Sequence, residues 1–202
     1  MTFLPGVMPP AASPSMPAGS RPTGSTQAES EPDALDRESL ATSASARLAR
    51  SVGRRGLSVA EARAKLRADG LTDEEAADIV DGFVQRGWLD DAALAEQLVY
   101  AATTRKDMGT RAVRQLLVKR LVSREVIDAV IAELPDDDAE RALEFARAKA
   151  RALTRYDDDT ATRRLMGMLA RRGFGGAAAG QAARTALAEE RRQAGGSGVR
   201  FR

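Results

Sequence analysis

Three clusters of carboxylates are the residues of this chain most open to a chemical reading: Asp90-Asp91, Asp136-Asp137-Asp138 and Asp157-Asp158-Asp159. Adjacent carboxylates can hold a divalent cation such as Mg²⁺ through oxygen ligands. Each cluster, however, stands directly before a stretch of helical periodicity, where an anion satisfies free backbone N–H groups and the positive end of the helix. Capping accounts for all three, and neither a metal nor another cofactor is expected. No phosphate-cradling loop accompanies them. Gly173-Phe174-Gly175-Gly176 lacks the lysine and the spacing of a P-loop and reads as a helix end and turn. The chain has no His and no Cys. The first absence removes the commonest general base and metal ligand, and the second removes disulfides and Cys-held metal. Lys65, Lys106, Lys119 and Lys149 could in principle activate a hydroxyl, but none has a Ser at a catalytic-motif spacing. The chain reads as a protein that is not an enzyme.

The basic residues offer another chemistry, the recognition of anions. Arg105, Lys106, Arg111, Arg114, Lys119 and Arg120 fall close together against a single acid, Asp107. Arg111 and Arg114 lie one turn apart on one helix face. A second concentration is Arg147, Lys149, Arg151 and Arg155, and a third is Arg163, Arg164, Arg171 and Arg172. Such a stripe could follow a phosphate backbone, meet an acidic protein surface, or simply be a solvated face. Net charge is only +2, with 27 Arg against 4 Lys. Arginine suits bidentate contact with phosphate or carboxylate, but the codon bias of a high-GC genome would give the same excess. Both readings stay open.

Helices must position these residues. The chain is 202 residues long, 43% hydrophobic and 4% aromatic, so a core would be built from Leu, Val, Ile and Ala. Segments rich in Ala, Leu and Arg favour helix, and no stretch alternates long enough to suggest a sheet. Residues 1–34 hold seven of the eight prolines and are expected to be a disordered tail, and 192–202 a second flexible tail. Between them nine helices are predicted. Asp36 is expected to open the first. Ser58 with Glu61 and Thr72 with Glu75 have capping-box spacing, Asp90 and Ser123 cap two more helices, and Pro135 ends one.

A pattern recurs three times along these helices. Leu66 and Leu71 flank Gly70, Leu116 and Leu121 flank Arg120, and Leu169 and Phe174 flank Gly173. A repeat at this period reads as one helical unit stacked on copies of itself. The helices group as 36–87, 90–134 and 137–190, within one body of 36–190. The fold expected is all-α, three tandem three-helix repeats in an elongated, curved array. Leu116 is expected in the core, as is the single tryptophan, Trp88. No apolar run reaches the roughly 20 residues that cross a bilayer, so the expected compartment is the cytoplasm, with no membrane partner.

The segment Gly87-Trp88-Leu89-Asp90-Asp91-Ala92-Ala93-Leu94-Ala95 resembles the glycine–aromatic–leucine–Asp–Asp signature of the RecX family, bacterial modulators of the RecA recombinase. Arg105 and Gly109 leading into Leu116-Leu117-Val118-Lys119-Arg120 also resemble that family, as do Leu169-Ala170-Arg171-Arg172-Gly173-Phe174 and the opening Ser58, Glu61 and Leu66. The resemblance covers about residues 36–190. Arg120 departs from it where the second repeat commonly has Gly, Ala93-Leu94 where an aromatic is common, and the added Gly and Ala after Phe174 predict a poorly packed last helix. The resemblance implies three three-helix repeats and binding along the groove of the RecA–DNA filament. It also implies inhibition of RecA strand exchange, ATP hydrolysis and coprotease function. A monomer is expected, with RecA as partner and nonspecific contact to single- or double-stranded DNA. The contact residues expected are Arg105, Arg111, Arg114, Lys119, Arg120, Arg163, Arg164, Arg171 and Arg172. The rival reading is a DNA-binding transcription factor whose second helices, such as 113–119, enter a major groove.

Overall fold

The computed structural model describes the backbone of residues 30–196 and the side chains of 34–194. The tail expectations for 1–29 and 197–202 lie outside the described residues. Among the described residues there are nine α-helices and no strand: α1 (Ser30–Arg55), α2 (Val59–Ala68), α3 (Asp73–Gln85), α4 (Asp91–Lys106), α5 (Thr110–Lys119), α6 (Arg124–Ala132), α7 (Asp138–Ala150), α8 (Asp158–Arg172) and α9 (Gly176–Gly196). A short 3-10 turn, Arg151–Leu153, follows α7. The first helix begins at Ser30, ahead of Asp36, because Pro32 falls in its first turn, where a missing N–H is no loss. The last runs on to Gly196, past the end of the expected third repeat at 190 and into the segment expected to be a flexible tail. By compactness the chain divides into Met1–Arg37 and Glu38–Arg202, and the buried core found among the described residues lies in the second unit.

Local chemistry starts the helices where the sequence says. Ser58 and Glu61 exchange both capping-box bonds, at 3.0 and 3.2 Å. Thr72 and Glu75 do the same, at 3.3 and 2.8 Å. Asp90 and Ser123 each accept an N–H from the third residue onward, and so does Asp157, which opens α8 ahead of the start at Asp159 or Thr160 that the sequence suggests. These bonds satisfy donors that a helix start would otherwise leave open.

The apolar stripes build three separate cores, one per repeat. Ala44 and Leu48 of α1 meet Leu66 of α2 and Val80 and Phe83 of α3. Ala95 and Val99 of α4 meet Val113 and Leu117 of α5 and Ile127 and Val130 of α6. Ala142 and Ala146 of α7 meet Leu165 and Leu169 of α8 and Ala183 and Leu187 of α9. The last helix is not poorly packed. Ala179, Ala182, Ala183 and Ala186 are all buried, because small side chains on α7 and α9 let the two helices lie close.

The structural register of the second repeat differs by one residue from the sequence pattern. The N–H of Leu71 donates to Leu66 O, that of Val122 to Leu117 O, and that of Phe174 to Leu169 O, at 3.2, 3.2 and 3.0 Å. These are the same six-to-one closing bonds of a helix end. Leu66, Leu117 and Leu169 are therefore equivalent, and each is fully buried. Gly70, Leu121 and Gly173 are the equivalent left-handed residues, with φ of 97°, 54° and 90°. Leu116 only packs against the rim of its core, and Leu121 is half exposed. Arg120 is the residue before the left-handed turn and has an ordinary φ of −86°.

Candidate partner-binding surface

The first and third carboxylate clusters cap the helix that follows them, but the middle one does not, because Asp137 at the start of α7 makes no side-chain cap bond and Asp138 turns to the repeat before it. Asp90 caps its own helix α4 by accepting from Ala93 N–H at 2.9 Å. Asp91 reaches back into the first repeat and accepts from Val59 N–H, at the start of α2, at 2.8 Å. Asp138 repeats this one unit later, accepting from Thr110 N–H at the start of α5 at 3.0 and 3.2 Å. The first residue of the opening helix of each following repeat thus closes the middle helix of the repeat before it. Asp157 accepts from Thr160 N–H, and that backbone bond holds its carboxyl below the ordinary range. Among the described residues no three metal-ligating side chains converge.

The arginines sort into two groups. Arg120 lies inside the chain: its Nε and Nη2 donate to Glu61 Oε1 and Oε2 at 2.8 and 3.0 Å, and Nη2 also donates to Gly56 O at 2.9 Å. Both side chains are about 15% exposed. Burial raises the Glu61 pKa, but the Arg120 hydrogen bond, the Ser58 N–H and the Arg120 charge outweigh it and leave that pKa below the ordinary value. Glu61 in turn raises that of Arg120. Arg114 is paired with Asp128 at 2.5 Å on the surface. Arg172 donates to Lys106 O across the junction of the second and third repeats and lies 5.1 Å from the Phe145 ring centroid. Arg164 lies 4.1 Å over the Tyr156 ring, a cation–π contact that leaves its N–H donors available.

Arg105, Arg111, Lys119, Arg163 and Arg171 are exposed and make no ion pair among the described residues. Arg111 stands against Gly175, so α5 of the second repeat and the turn after α8 of the third come together there. Lys106 and Lys149, which are outside the expected contact set, lie at the same junction. A cleft there of about 340 Å³ is lined by Arg141, Lys149 and Arg172, with Asp107 and Glu144 among its walls. A larger one, about 710 Å³ between α8 and α9, carries Arg163, Arg184 and Met166. Sequence reasoning misses Arg184 because α9 reads as a plain alanine-rich helix with no basic cluster.

Trp88 is not core: it is 53% exposed. Gly87 ends α3 in a left-handed turn with φ 69°. The closing bond from Trp88 N–H to Phe83 O, 2.9 Å, then leaves the indole outside. It stands edge-on to Phe83 at 5.1 Å, with Arg86 over it at 5.7 Å. The next residue, Leu89, takes the core position at 2% exposure.

The sequence that builds these helices is similar to those of known proteins. Residues 136–182 match the family model for the third three-helix domain of RecX. The regulatory protein RecX of Mycolicibacterium smegmatis is 36% identical over 137 residues, covering 65% of this chain and 73% of that protein. The RecX of Mycolicibacterium vanbaalenii is 38% identical over 140 residues, covering 65% and 76%. That of Streptomyces coelicolor is 30% identical over 169 residues, covering 83% and 88%.

Proposed function

The chain belongs to the RecX family, and from that premise we propose that it is a non-enzymatic regulator. It binds RecA–DNA filaments as a cytoplasmic monomer and lowers RecA recombinase, ATPase and coprotease activity. The observation that supports this reading is the set of exposed cations on the second and third repeats that make no ion pair among the described residues. Arg105, Arg111 and Lys119 come from the second, Arg163 and Arg171 from the third. Exposed, unpaired arginines keep their forked donors free for a carboxylate or phosphate. Arg164 and Arg172 contribute from their aromatic rests. Arg114 first has to leave Asp128, and Arg120 serves the fold. Contact with DNA is through phosphate and ignores base sequence, so it weakens steeply with salt.

The test is RecA ATPase on single-stranded DNA with sub-stoichiometric protein added, read together with co-sedimentation on filaments. Inhibition is expected, and it weakens when Arg111 and Arg171 are changed to Glu. The absence of both inhibition and co-sedimentation would overturn the reading. A gel shift selective for one DNA sequence without RecA would instead favour a transcription factor.

A further inference from the structure

The three repeats are joined in two different ways. Between the first and second, every hydrogen bond among the described residues passes through a side chain. Asp91 accepts from Val59 N–H, and Arg120 forks onto Glu61 and Gly56 O. All four of these bonds converge on the start of α2. The covalent connection there is short. Leu89 is anchored in the first core, and one extended residue, Asp90 with φ −145° and ψ 106°, leads into α4.

Between the second and third repeats the backbones themselves touch. Gly109 N–H donates to Arg172 O at 2.8 Å. A methyl group on Gly109 would lie 2.9 Å from both Gly173 C and Gly173 O, and one on Gly173 would lie 2.9 Å from Ala112 Cα. The side-chain bonds of Asp138 to Thr110 and of Arg141 to Met108 O lie around this contact. Backbones packed at this distance cannot slide without separating, whereas side-chain bonds can be exchanged for water one at a time.

We propose that the joint between the first and second repeats is a hinge latched by Arg120 on Glu61, and that the second and third repeats form one rigid body. Release of the latch swings the first repeat, with Trp88 at its edge, about Asp90. The cations of the second and third repeats keep their spacing as it moves. This inference does not depend on which partner the chain binds.

The chain has no cysteine, so pairs of nitroxide labels can be placed in the whole 202-residue chain without a competing thiol. Ala64→Cys in α2, Gln115→Cys in α5 and Ala170→Cys in α8 are exposed positions, one per repeat. Pulsed electron–electron distance measurements compare the 64/115 and 115/170 pairs in the parent, in Arg120→Ala and in Arg120→Met. The Met variant keeps the aliphatic stem and removes only the charge and donors. In both variants the 64/115 distribution should widen by about twofold or more while 115/170 keeps its parent width. The proposal fails if 64/115 stays as narrow as in the parent, or if 115/170 widens equally. It also fails if both variants lose the folded state, since the first two repeats would then be one cooperative unit.

Discussion

Gly109→Ala separates packing from backbone preference by the sign of its effect. Gly109 has φ −70° and ψ 159°, a conformation any residue adopts. On backbone grounds alone, alanine would stabilise the protein by about 0.4–1 kcal/mol, through a less free unfolded chain. The structure demands the opposite. The added methyl would lie 2.7 Å from Phe174 Cδ1 and 2.9 Å from the carbonyl of Gly173. Phe174 is 2% exposed, and the other neighbours are backbone, so little can yield. Relief by separating the repeats also stretches the 2.8 Å bond from Gly109 N–H to Arg172 O. Overpacking costs about 1–3 kcal/mol and a lost hydrogen bond about 1. The net expectation is a loss of about 2–3 kcal/mol, a melting temperature lower by roughly 5–10 °C for a chain of this size. Thermal unfolding followed by circular dichroism reads it. Gly53→Ala is the control, since Gly53 lies in α1 with nothing within 4 Å of the added methyl, and it should raise the melting temperature slightly. A Gly109→Ala protein as stable as the parent, or more so, refutes the glycine joint.

The second repeat and its latch give three further expected outcomes. Leu117→Ala should cost about 2–5 kcal/mol and Leu116→Ala less than half as much, because only Leu117 is fully buried; urea unfolding of the two variants decides the register. Leu121→Gly should stabilise by about 0.5–1 kcal/mol, because Leu121 holds φ 54° while half exposed, and a lower melting temperature would contradict that. The Glu61 carboxyl has a lowered pKa in the folded state, so its contribution is complete above the unfolded carboxylate pKa and is lost as pH falls through the folded one. The stability gap between the parent and Glu61→Gln, measured by urea unfolding, should therefore be constant near neutral pH and close as the pH drops below about 4.

Much of the fold is legible in the sequence because its signals are local. The Ser58–Glu61 and Thr72–Glu75 boxes and the Asp90 and Ser123 caps each act within a turn or two of one helix, and each forms where its spacing says. The departures depend on a choice between neighbours. Leu116 and Leu117 carry the same side chain, so composition cannot say which faces the core; the closing bond from Val122 to Leu117 decides it. Trp88 and Leu89 are both apolar, and the left-handed Gly87 turn sends one outward and the other inward.

The candidate surface shows the same division. Composition and order established an arginine-rich, histidine-free and cysteine-free helical chain with three repeats and carboxylates at helix starts. They could not say which arginine is free, since Arg120 and Glu61 are 59 residues apart and meet only when one repeat is set on another. Nor could they show Asp91 and Asp138 serving the preceding repeat, or Gly109 and Gly173 touching. A helix cap is fixed by the order of residues along the chain, but the pairing of a charge with a distant one is fixed by where the repeats come to rest. The sequence alone therefore determined what each repeat is, and the tertiary structure decided which of its charges are paired and which stay exposed among the described residues.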